Sequence, residues 1–206
     1  LKIHIVLGGE YGLFYHAEAK DYNELDNLMK RWKRMIAVID AGGDLIGSRK
    51  FKERWQGRVY LGYFRGADKK GEEIFTWGKG DEHYTVAIDR ERGIQLAVDY
   101  FRDGRIPVQG TEEDWHDYWT DWDNLTRIRI EDPKTMRFKG FKWVRSGRDH
   151  RALATVLWLA GLHKFGYNKA EFIGEREKIA VPVAPHITPD MRTRALTPAG
   201  QDIVQA

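Results

Sequence analysis

The stretch that decides the fold is MIAVIDAGGDLIGSRK, residues 35–50. Residues 36–39 form a short apolar run with β-branched members, which predicts a central strand buried on both faces. Asp40 follows at the point where this strand should end. Because ligand sites in open α/β sheets lie beyond the carboxyl ends of the strands, Asp40 is a candidate functional acid. The alternative is that Asp40 only caps the turn before the next helix, and the pattern favours neither interpretation.

The glycines after Asp40 raise the question of a phosphate-binding loop. Residues 42–48, GGDLIGS, come close to the pattern G-x-x-x-x-G-K-[ST]. That pattern needs a lysine directly after the second glycine, because its ammonium group contacts the β- and γ-phosphates. Ser48 stands there instead, and Lys50 comes two positions later. The stretch therefore does not predict nucleotide binding.

Length and composition limit the classes of protein to which the chain can belong. Its 206 residues are enough for one domain with a substantial core. It has no cysteine, which excludes disulfides, thiolate zinc sites and cysteine nucleophiles, so a metal would need oxygen or imidazole ligands. No apolar run approaches the roughly 20 residues that span a bilayer, and no signal-peptide pattern is present. We expect a soluble, intracellular protein, and the opening LKIHIVL, which starts mid-strand without Met, predicts a fragment of a longer chain.

Hydrophobic periodicity predicts alternating strands and helices along most of the chain. The predicted strands are residues 2–7, 13–17, 36–39, 58–64, 73–77, 83–88, 127–130 and 136–144. The predicted helices begin near residues 21, 48, 93, 111 and 149. The first helix should begin with a capping box, because Asp21 and Glu24 have the required spacing.

Two of the predicted helices have distinctive surfaces. The helix from Thr111 carries an aromatic stripe of Trp115, Tyr118, Trp119 and Trp122. We expect that stripe to face the core and the opposite, acidic side to lie in solvent. The helix from Asp149 is apolar nearly all round, so it should be buried. Asp149, in its first turn, can then project across the sheet toward the strand that carries Asp40.

The composition changes after Gly166. Four of the six prolines fall here, at Pro182, Pro185, Pro189 and Pro198, and no periodicity is sustained. We expect residues 1–166 to form one domain. Residues 167–206 should form a Pro-rich C-terminal tail that wraps a surface or is partly disordered.

Three pieces of the sequence resemble a known family. They are the amphipathic helix leading into AVIDAGGD, the segment YTVAIDRERGIQLAVDYFRDGRI (residues 84–106) and the segment WVRSGRDHRALATVLWLAGL (residues 143–162). In this order they resemble the nuclease domain of the large terminase subunit of tailed double-stranded DNA phages. The resemblance implies an α/β, RNase H-like fold in which a mixed β-sheet is flanked by helices. It spans most of residues 1–165.

In that family three acids hold two divalent ions: one on the first strand, one at the end of the fourth strand and one at the final helix. Asp40 matches the second acid and Asp149 matches the third. The first has no match, which implies that this chain lacks its first strand, that the missing acid lies upstream of Leu1 and that the fragment is inactive alone.

In a competing register Asp40 is the first acid and Asp89 the second. The helix-like SRKFKERW after Asp40 argues against it, because it leaves no room for the expected strand hairpin; Asp89 then caps a helix.

The chemistry of phosphodiester hydrolysis explains why such a site needs acids. Two ions about 3.5–4 Å apart activate the attacking water and stabilise the leaving oxygen. Carboxylate oxygens suit Mg²⁺ or Mn²⁺. Asp44 and His150 are weaker candidates for a metal or water contact, and each is otherwise a helix cap or a surface residue.

Basic residues gather before the last helix, although the net charge of the chain is only +3. Arg137 and Lys139 alternate with Met136 and Phe138, which predicts a basic face toward DNA and an apolar face toward the core. The charge is extended toward the last helix by four further residues: Lys142, Arg145, Arg148 and Arg151. Phosphate contacts of this kind are independent of sequence and sensitive to salt. The alternative is an ordinary solvated strand.

The resemblance implies a metal-dependent endonuclease of a viral DNA-packaging motor, which cuts double-stranded DNA with little sequence preference. It would act in the host cytoplasm during virus assembly, away from membranes. The implied partners are double-stranded DNA, the portal protein, the small terminase subunit and an ATPase domain of the same full-length chain. Two alternatives stay open. One is another RNase H-like nuclease of the resolvase or transposase type, and the other is a non-catalytic DNA-binding or assembly module with an incomplete acid set.

Overall fold

The computed structural model describes residues 2–9, 11–66 and 73–165. The strands are β1 (Ile3–Gly9), β2 (Gly12–Ala19), β3 (Ala37–Asp40), β4 (Val59–Arg65), β5 (Phe75–Trp77), β6 (Thr85–Asp89), β7 (Leu125–Glu131) and β8 (Phe138–Arg145). The α-helices are α1 (Tyr22–Arg31), α2 (Leu45–Arg54), α3 (Arg90–Arg102), α4 (His116–Asp123) and α5 (His150–Phe165). The chain is therefore a mixed α/β protein, as the sequence predicts.

A four-stranded sheet carries the predicted central strand. Its order is β3-β4-β6-β5, with β3, β4 and β6 parallel and β5 antiparallel to β6. The first four residues of β4 are all buried, as expected for a strand with neighbours on both edges and helices on its faces. The predicted hairpin of residues 73–77 and 83–88 is confirmed as β5 and β6. Because the parallel strands share a direction, Asp40 and Asp89 end their strands at the same edge of the sheet.

Two antiparallel hairpins lie outside this sheet. β1 pairs with β2, and β7 pairs with β8. β2 also touches the segment after α3, through an isolated parallel bridge between Leu13 and Val108. Both hairpins were predicted from strand-like runs flanking turn residues.

Two clusters of buried apolar side chains form the core. The larger cluster includes Tyr118 and Trp122 of α4, and the smaller includes Met29, Phe51 and Val59 beneath α1 and α2. Helix α5 packs against β1, β3, α3 and α4. The prediction that this helix is buried is confirmed, and so is the prediction that the aromatic stripe of α4 faces the core.

Side-chain caps set the starts of the helices. Asp21 accepts hydrogen bonds from the N–H groups of Asn23 and Glu24, and the Glu24 carboxylate accepts one from the Lys20 N–H. Asp44 accepts a hydrogen bond from the Gly47 N–H, so α2 begins three residues before the predicted start at Ser48.

No helix in the described ranges is long and apolar enough to cross a membrane. The Pro-rich tail predicted for residues 167–206 lies outside the described residues.

Candidate functional site

Asp40 is the last residue of β3, and its side chain is exposed. Its Oδ1 atom accepts a hydrogen bond of 2.8 Å from the Gly42 N–H, which stabilises the turn that follows the strand. The sequence left a functional acid and a turn cap as alternatives. The geometry accommodates both, because one oxygen serves the turn while the carboxylate lies at the carboxyl end of the strand.

A cavity of about 980 Å³ lies between β1 and β3. Its walls come from the residues of β1 and β3, and from α1 and α5 on either side. Within the described part of the chain, β1 is hydrogen-bonded only to β2, and β3 only to β4. Each of the two strands thus has one edge without a strand partner in the described residues, and residues of both strands line the same cavity. Exposed backbone groups on two facing edges form a template for a further strand.

The residues that line this cavity include four with side chains that carry chemistry: His4, Asp40, Asp44 and His150. The rings of His4 and His150 stack with their centroids 4.5 Å apart and their planes 15° from parallel. Burial lowers the pKa of His4, the neighbouring His150 lowers it further, and Glu18 opposes the shift. As the pH falls, the imidazole of His4 therefore stays neutral to a lower pH than the imidazole of a free histidine does.

Asp44 is committed to two neighbours. It caps α2, and it lies beside Tyr22 at the cavity wall. Burial raises the pKa of Tyr22 to about 12, and the charge of Asp44 adds to the shift. The interpretation of Asp44 as a cap accounts for its position, and its carboxylate still lines the cavity with Asp40.

Asp149 occupies a different environment from Asp40. It is buried directly before α5, and its Oδ2 atom lies 3.0 Å from Nη2 of Arg90. Its Oδ1 atom lies 3.6 Å from Nη1 of Arg145 and accepts no hydrogen bond from the described residues. Both arginines line a second, smaller cavity with Asp149 and Trp143, of about 350 Å³.

The structure therefore brings Asp40, Asp44 and His150 to one cavity and places Asp149 in another. Among the described residues, no group of three or more His, Cys, Asp or Glu side chains is arranged to hold a metal ion. Two carboxylates, one of them paired with two arginines, do not by themselves fit a site for two divalent ions. Of the carboxylate oxygens of Asp40 and Asp149, Oδ1 of Asp149 is the one that is buried without a hydrogen-bond partner among the described residues.

Asp89 has a structural role. It is buried at the end of β6 and caps α3, where it accepts a hydrogen bond of 3.0 Å from the Arg92 N–H. A helix rather than a strand hairpin follows Asp40, as SRKFKERW indicated. Both observations agree with the helix after Asp40 and the cap at Asp89 that the sequence predicts.

Arg151 differs from the other basic residues predicted to contact DNA, because its side chain is buried. Its guanidinium lies 3.2 Å from Glu18 and 3.5 Å from Asp121. Its backbone N–H donates to the Asp121 carboxylate at 2.8 Å. Arg151 therefore holds the start of α5 against α4 and β2 instead of lying on a surface open to DNA. Asp121 departs equally from expectation, since it belongs to the predicted solvated side of α4 and is fully buried.

The remaining basic residues lie where DNA can reach them. The exposed side chains are Arg137, Lys139, Lys142, Arg145 and Arg148. Met136 and Phe138, which were expected to pack toward the core, are 68% and 52% exposed. That expectation was wrong because the outer half of the β7–β8 hairpin is left uncovered by the described residues, whereas β8 reaches the core through Trp143.

Sequence reasoning missed Arg90 and Glu91. Arg90 bridges Asp149, Glu91 and the backbone carbonyl of Trp143, and the Glu91 carboxylate accepts a hydrogen bond from the Trp143 N–H. These contacts join α3 to β8 and α5 across more than 50 positions of sequence. The segment DRERG carries no local signal that would distinguish these two side chains from an ordinary solvated helix start.

No family model, no curated protein and no solved structure matches the chain. The resemblance to the terminase nuclease domain therefore rests on the three quoted sequence segments.

Proposed function

We propose that this chain is the nuclease domain of a viral DNA-packaging terminase, an RNase H-like endonuclease that depends on Mg²⁺ or Mn²⁺ and cuts double-stranded DNA with little sequence preference. The order of the three family-like segments supports the proposal. So does the position of Asp40, at the carboxyl end of a parallel strand, where sites in open sheets are found.

The observation that carries the proposal is the cavity between β1 and β3. β1 and β3 each have one edge without a strand partner in the described residues, and an extended chain seated between them would pair with both edges at once. A strand seated there joins the β1–β2 hairpin to the four-stranded sheet. The result is one continuous mixed sheet with helices on its faces, which is the architecture that the family resemblance implies.

The same geometry supports a position for the first acid of the family's site. β3 ends at Asp40, and Lys2 and His4, at the start of β1, line the same cavity. A strand antiparallel to β1 and parallel to β3 ends beside these residues. A carboxylate near its carboxyl end lies next to Asp40 and His150. We therefore assign the first acid of the site to that strand, Asp40 to the second position and Asp149 to the third.

Asp149 differs in its chemistry from the other assigned acids, because Arg90 already neutralises it at 3.0 Å. The observation favours a second candidate function, a non-catalytic DNA-binding or assembly module in which the Arg90–Asp149 pair is purely structural. The two functions differ in one measurable property, which is hydrolysis of DNA in the presence of a divalent ion.

Plasmid cleavage with Mn²⁺ tests the proposal. The assay compares this chain with a chain extended before Leu1 so that a strand can fill the cavity. We expect nicking and linearisation only in the extended form, and loss of both on Asp40→Asn. Asp81→Asn, in the exposed turn Gly80–Glu82, is the matched control and should leave cleavage unchanged. An extended chain that neither cleaves plasmid nor binds Mn²⁺ by calorimetry would favour the non-catalytic module.

The choice of substrate separates the proposal from its nearest rival. A terminase nuclease cuts linear duplex DNA wherever packaging stops, whereas a resolvase or transposase acts on branched or sequence-marked DNA. Equal cleavage of linear duplexes of unrelated sequence supports the terminase function. The proposed partners are the portal protein, the small terminase subunit and the ATPase domain of the full-length chain, and a portal contact by residues 167–206 lies outside the described structure.

A further inference from the structure

The β7–β8 hairpin exposes aromatic rings in a strongly basic setting. Phe138 is 52% exposed and Phe141 is 45% exposed. Residues 125–145 contain seven Lys or Arg and two Asp or Glu, so this segment alone carries more positive charge than the net +3 of the chain. Large apolar side chains that stay exposed beside concentrated charge mark an interaction surface.

The strand register places arginines and aromatic rings on one face of the hairpin. Arg127 stands opposite Trp143, and Arg129 stands opposite Phe141. Directly paired residues of antiparallel strands project from the same face. Trp143 is only 5% exposed and anchors this face to the core, whereas Phe141 lies further out in solvent.

A register shift brings Phe138 onto the same face. Between Ile130 and Glu131 the pairing slips, so that Glu131 pairs with Phe138 rather than with Lys139. Bulges of this kind re-aim a side chain. The rings of Phe138 and Phe141 then meet edge to face, with their centroids 5.1 Å apart. The two rings form a small exposed aromatic platform.

Arginine side chains lie over both rings. The guanidinium carbon of Arg127 is 3.9 Å from the centroid of Phe141, and that of Arg129 is 5.2 Å from the centroid of Phe138. Cation–π contacts hold the guanidinium groups beside the rings. Nε of Arg129 already lies 2.9 Å from the Glu131 carboxylate, and the remaining N–H groups of the two arginines are suited to bind an anion. Apolar flat surface and cationic donors thus alternate within a few ångströms.

We propose that this aromatic–arginine face, formed by Arg127, Arg129, Phe138 and Phe141, binds single-stranded DNA. Unpaired bases stack on the ring faces that the arginines leave uncovered, and the arginines neutralise the adjacent phosphates. The assignment of DNA as the ligand rests on the proposed nuclease function, but the binding itself needs neither a metal ion nor the acids Asp40 and Asp149. It narrows the substrate to DNA with unpaired bases near the site of cleavage.

The choice of single-stranded over duplex DNA follows from what each presents. A duplex presents phosphates on its outside and keeps its base faces stacked, so it uses the arginines and leaves the phenyl rings in water. A single strand presents phosphates and unstacked base faces in alternation. Any base can stack on an aromatic side chain, so this kind of binding does not depend on sequence. Only the single strand covers the rings and the charges together.

Fluorescence anisotropy in EDTA tests the proposal on the whole chain. The probes are a labelled oligothymidylate of about 12 nucleotides, within the known site sizes of single-strand-binding folds, and an abasic strand of the same length and charge. We expect the wild-type chain to bind the oligothymidylate roughly tenfold or more tightly than the abasic strand. Phe138→Ala combined with Phe141→Ala should reduce binding of the oligothymidylate to the abasic level. Ile46→Ala removes an exposed apolar side chain on α2 and should change neither affinity.

Equal affinity of the wild-type chain for the two strands would overturn the proposal, and this result does not depend on how any variant folds. Retention of oligothymidylate binding by a double alanine variant with an unchanged melting temperature would overturn it as well. The outcome is separate from the nuclease proposal. A chain that never cleaves plasmid but distinguishes the two strands retains this binding face and loses only the catalytic assignment.

Discussion

Arg148 and Arg151 both approach the Glu18 carboxylate, at 4.0 Å and 3.2 Å, but their surroundings differ. The side chain of Arg148 is 54% exposed and that of Arg151 is 4% exposed. A surface ion pair contributes about 0–1 kcal/mol, because water solvates either partner when the other is removed. Breaking a buried pair costs about 3–5 kcal/mol, because the remaining charge stays in the interior.

We therefore expect Arg151→Ala to lower the free energy of unfolding by about 3 kcal/mol, near the low end of the buried range because Glu18 is partly exposed. Arg148→Ala is the matched control and should lower it by less than about 1 kcal/mol. Urea denaturation measures both values. Equal losses for the two variants would show that burial does not distinguish these arginines.

The stacked histidines make the stability of the protein depend on pH. Because burial and the nearby His150 lower the pKa of His4 below 6.5, the folded chain takes up this proton less readily than the unfolded chain. The contribution of His4 to stability is complete above pH 6.5 and is lost as the pH falls through its lowered folded pKa. We expect His4→Gln to flatten the fall in melting temperature below pH 6.5, measured by calorimetry. His83→Gln, at an exposed turn, should keep the wild-type slope.

At the scale of elements, the backbone amides of β1 and β3 should be less protected from hydrogen exchange than those of β4. β4 is paired on both sides, whereas β1 and β3 each have an unpaired edge in the described residues. Amides that face the cavity have no strand partner within the described residues, so they open to solvent without breaking a ladder. We expect hydrogen exchange to be fast at alternate amides of β1 and β3 and slow along β4. A strand that fills the cavity should protect these same amides. Uniform protection of all three strands in this chain alone would contradict the described pairing.

The basic residues of β8 predict that the affinity of the chain for duplex DNA depends on the salt concentration. Each phosphate contact that is lost should reduce the slope of log affinity against log salt concentration by about 0.9. We expect Lys142→Ala to produce a change of that size and to weaken binding to all sequences alike. Lys52→Ala removes the same charge from α2 and should leave the slope unchanged. Anisotropy titrations at several salt concentrations give both slopes.

At the scale of the whole molecule, the open cavity between β1 and β3, called the groove below, has apolar walls and favours association between copies of the chain. Ile36, at the groove beside β3, is 41% exposed, and the exposed β1 and β3 edges can pair with those of another chain. We expect the chain to self-associate at high concentration and Ile36→Lys to reduce this association, because a charge disfavours edge pairing. Ile46→Lys adds the same charge on α2, outside the groove. Light scattering that responds equally to both variants would refute a role for the groove.

Local chemistry explains which features could be predicted from sequence. Three predicted features depend on residues that are only a few positions apart, and the structure contains all of them. They are the apolar run before Asp40, the cap at Asp21 and the aromatic stripe of α4. The pairing of Arg90 with Asp149 and of Arg151 with Asp121 joins residues 59 and 30 positions apart. No periodicity encodes such distances. The exposure of Phe138 was missed for a third reason. The slipped pairing in β8 places Phe138 on the same face as Trp143, but only the end of that face that carries Trp143 is buried.

Because α5 touches both hairpin strand β1 and sheet strand β3, as well as α3 and α4, the last described element ties together parts made much earlier in translation. The earlier segments emerge from the ribosome before α5 covers their apolar faces, because Ala152, Val156 and Leu159 of α5 belong to the larger core cluster. Completion of the fold must wait until residue 165 has left the exit tunnel. We therefore expect a chain that ends before α5 to leave this apolar surface uncovered and to be prone to aggregation.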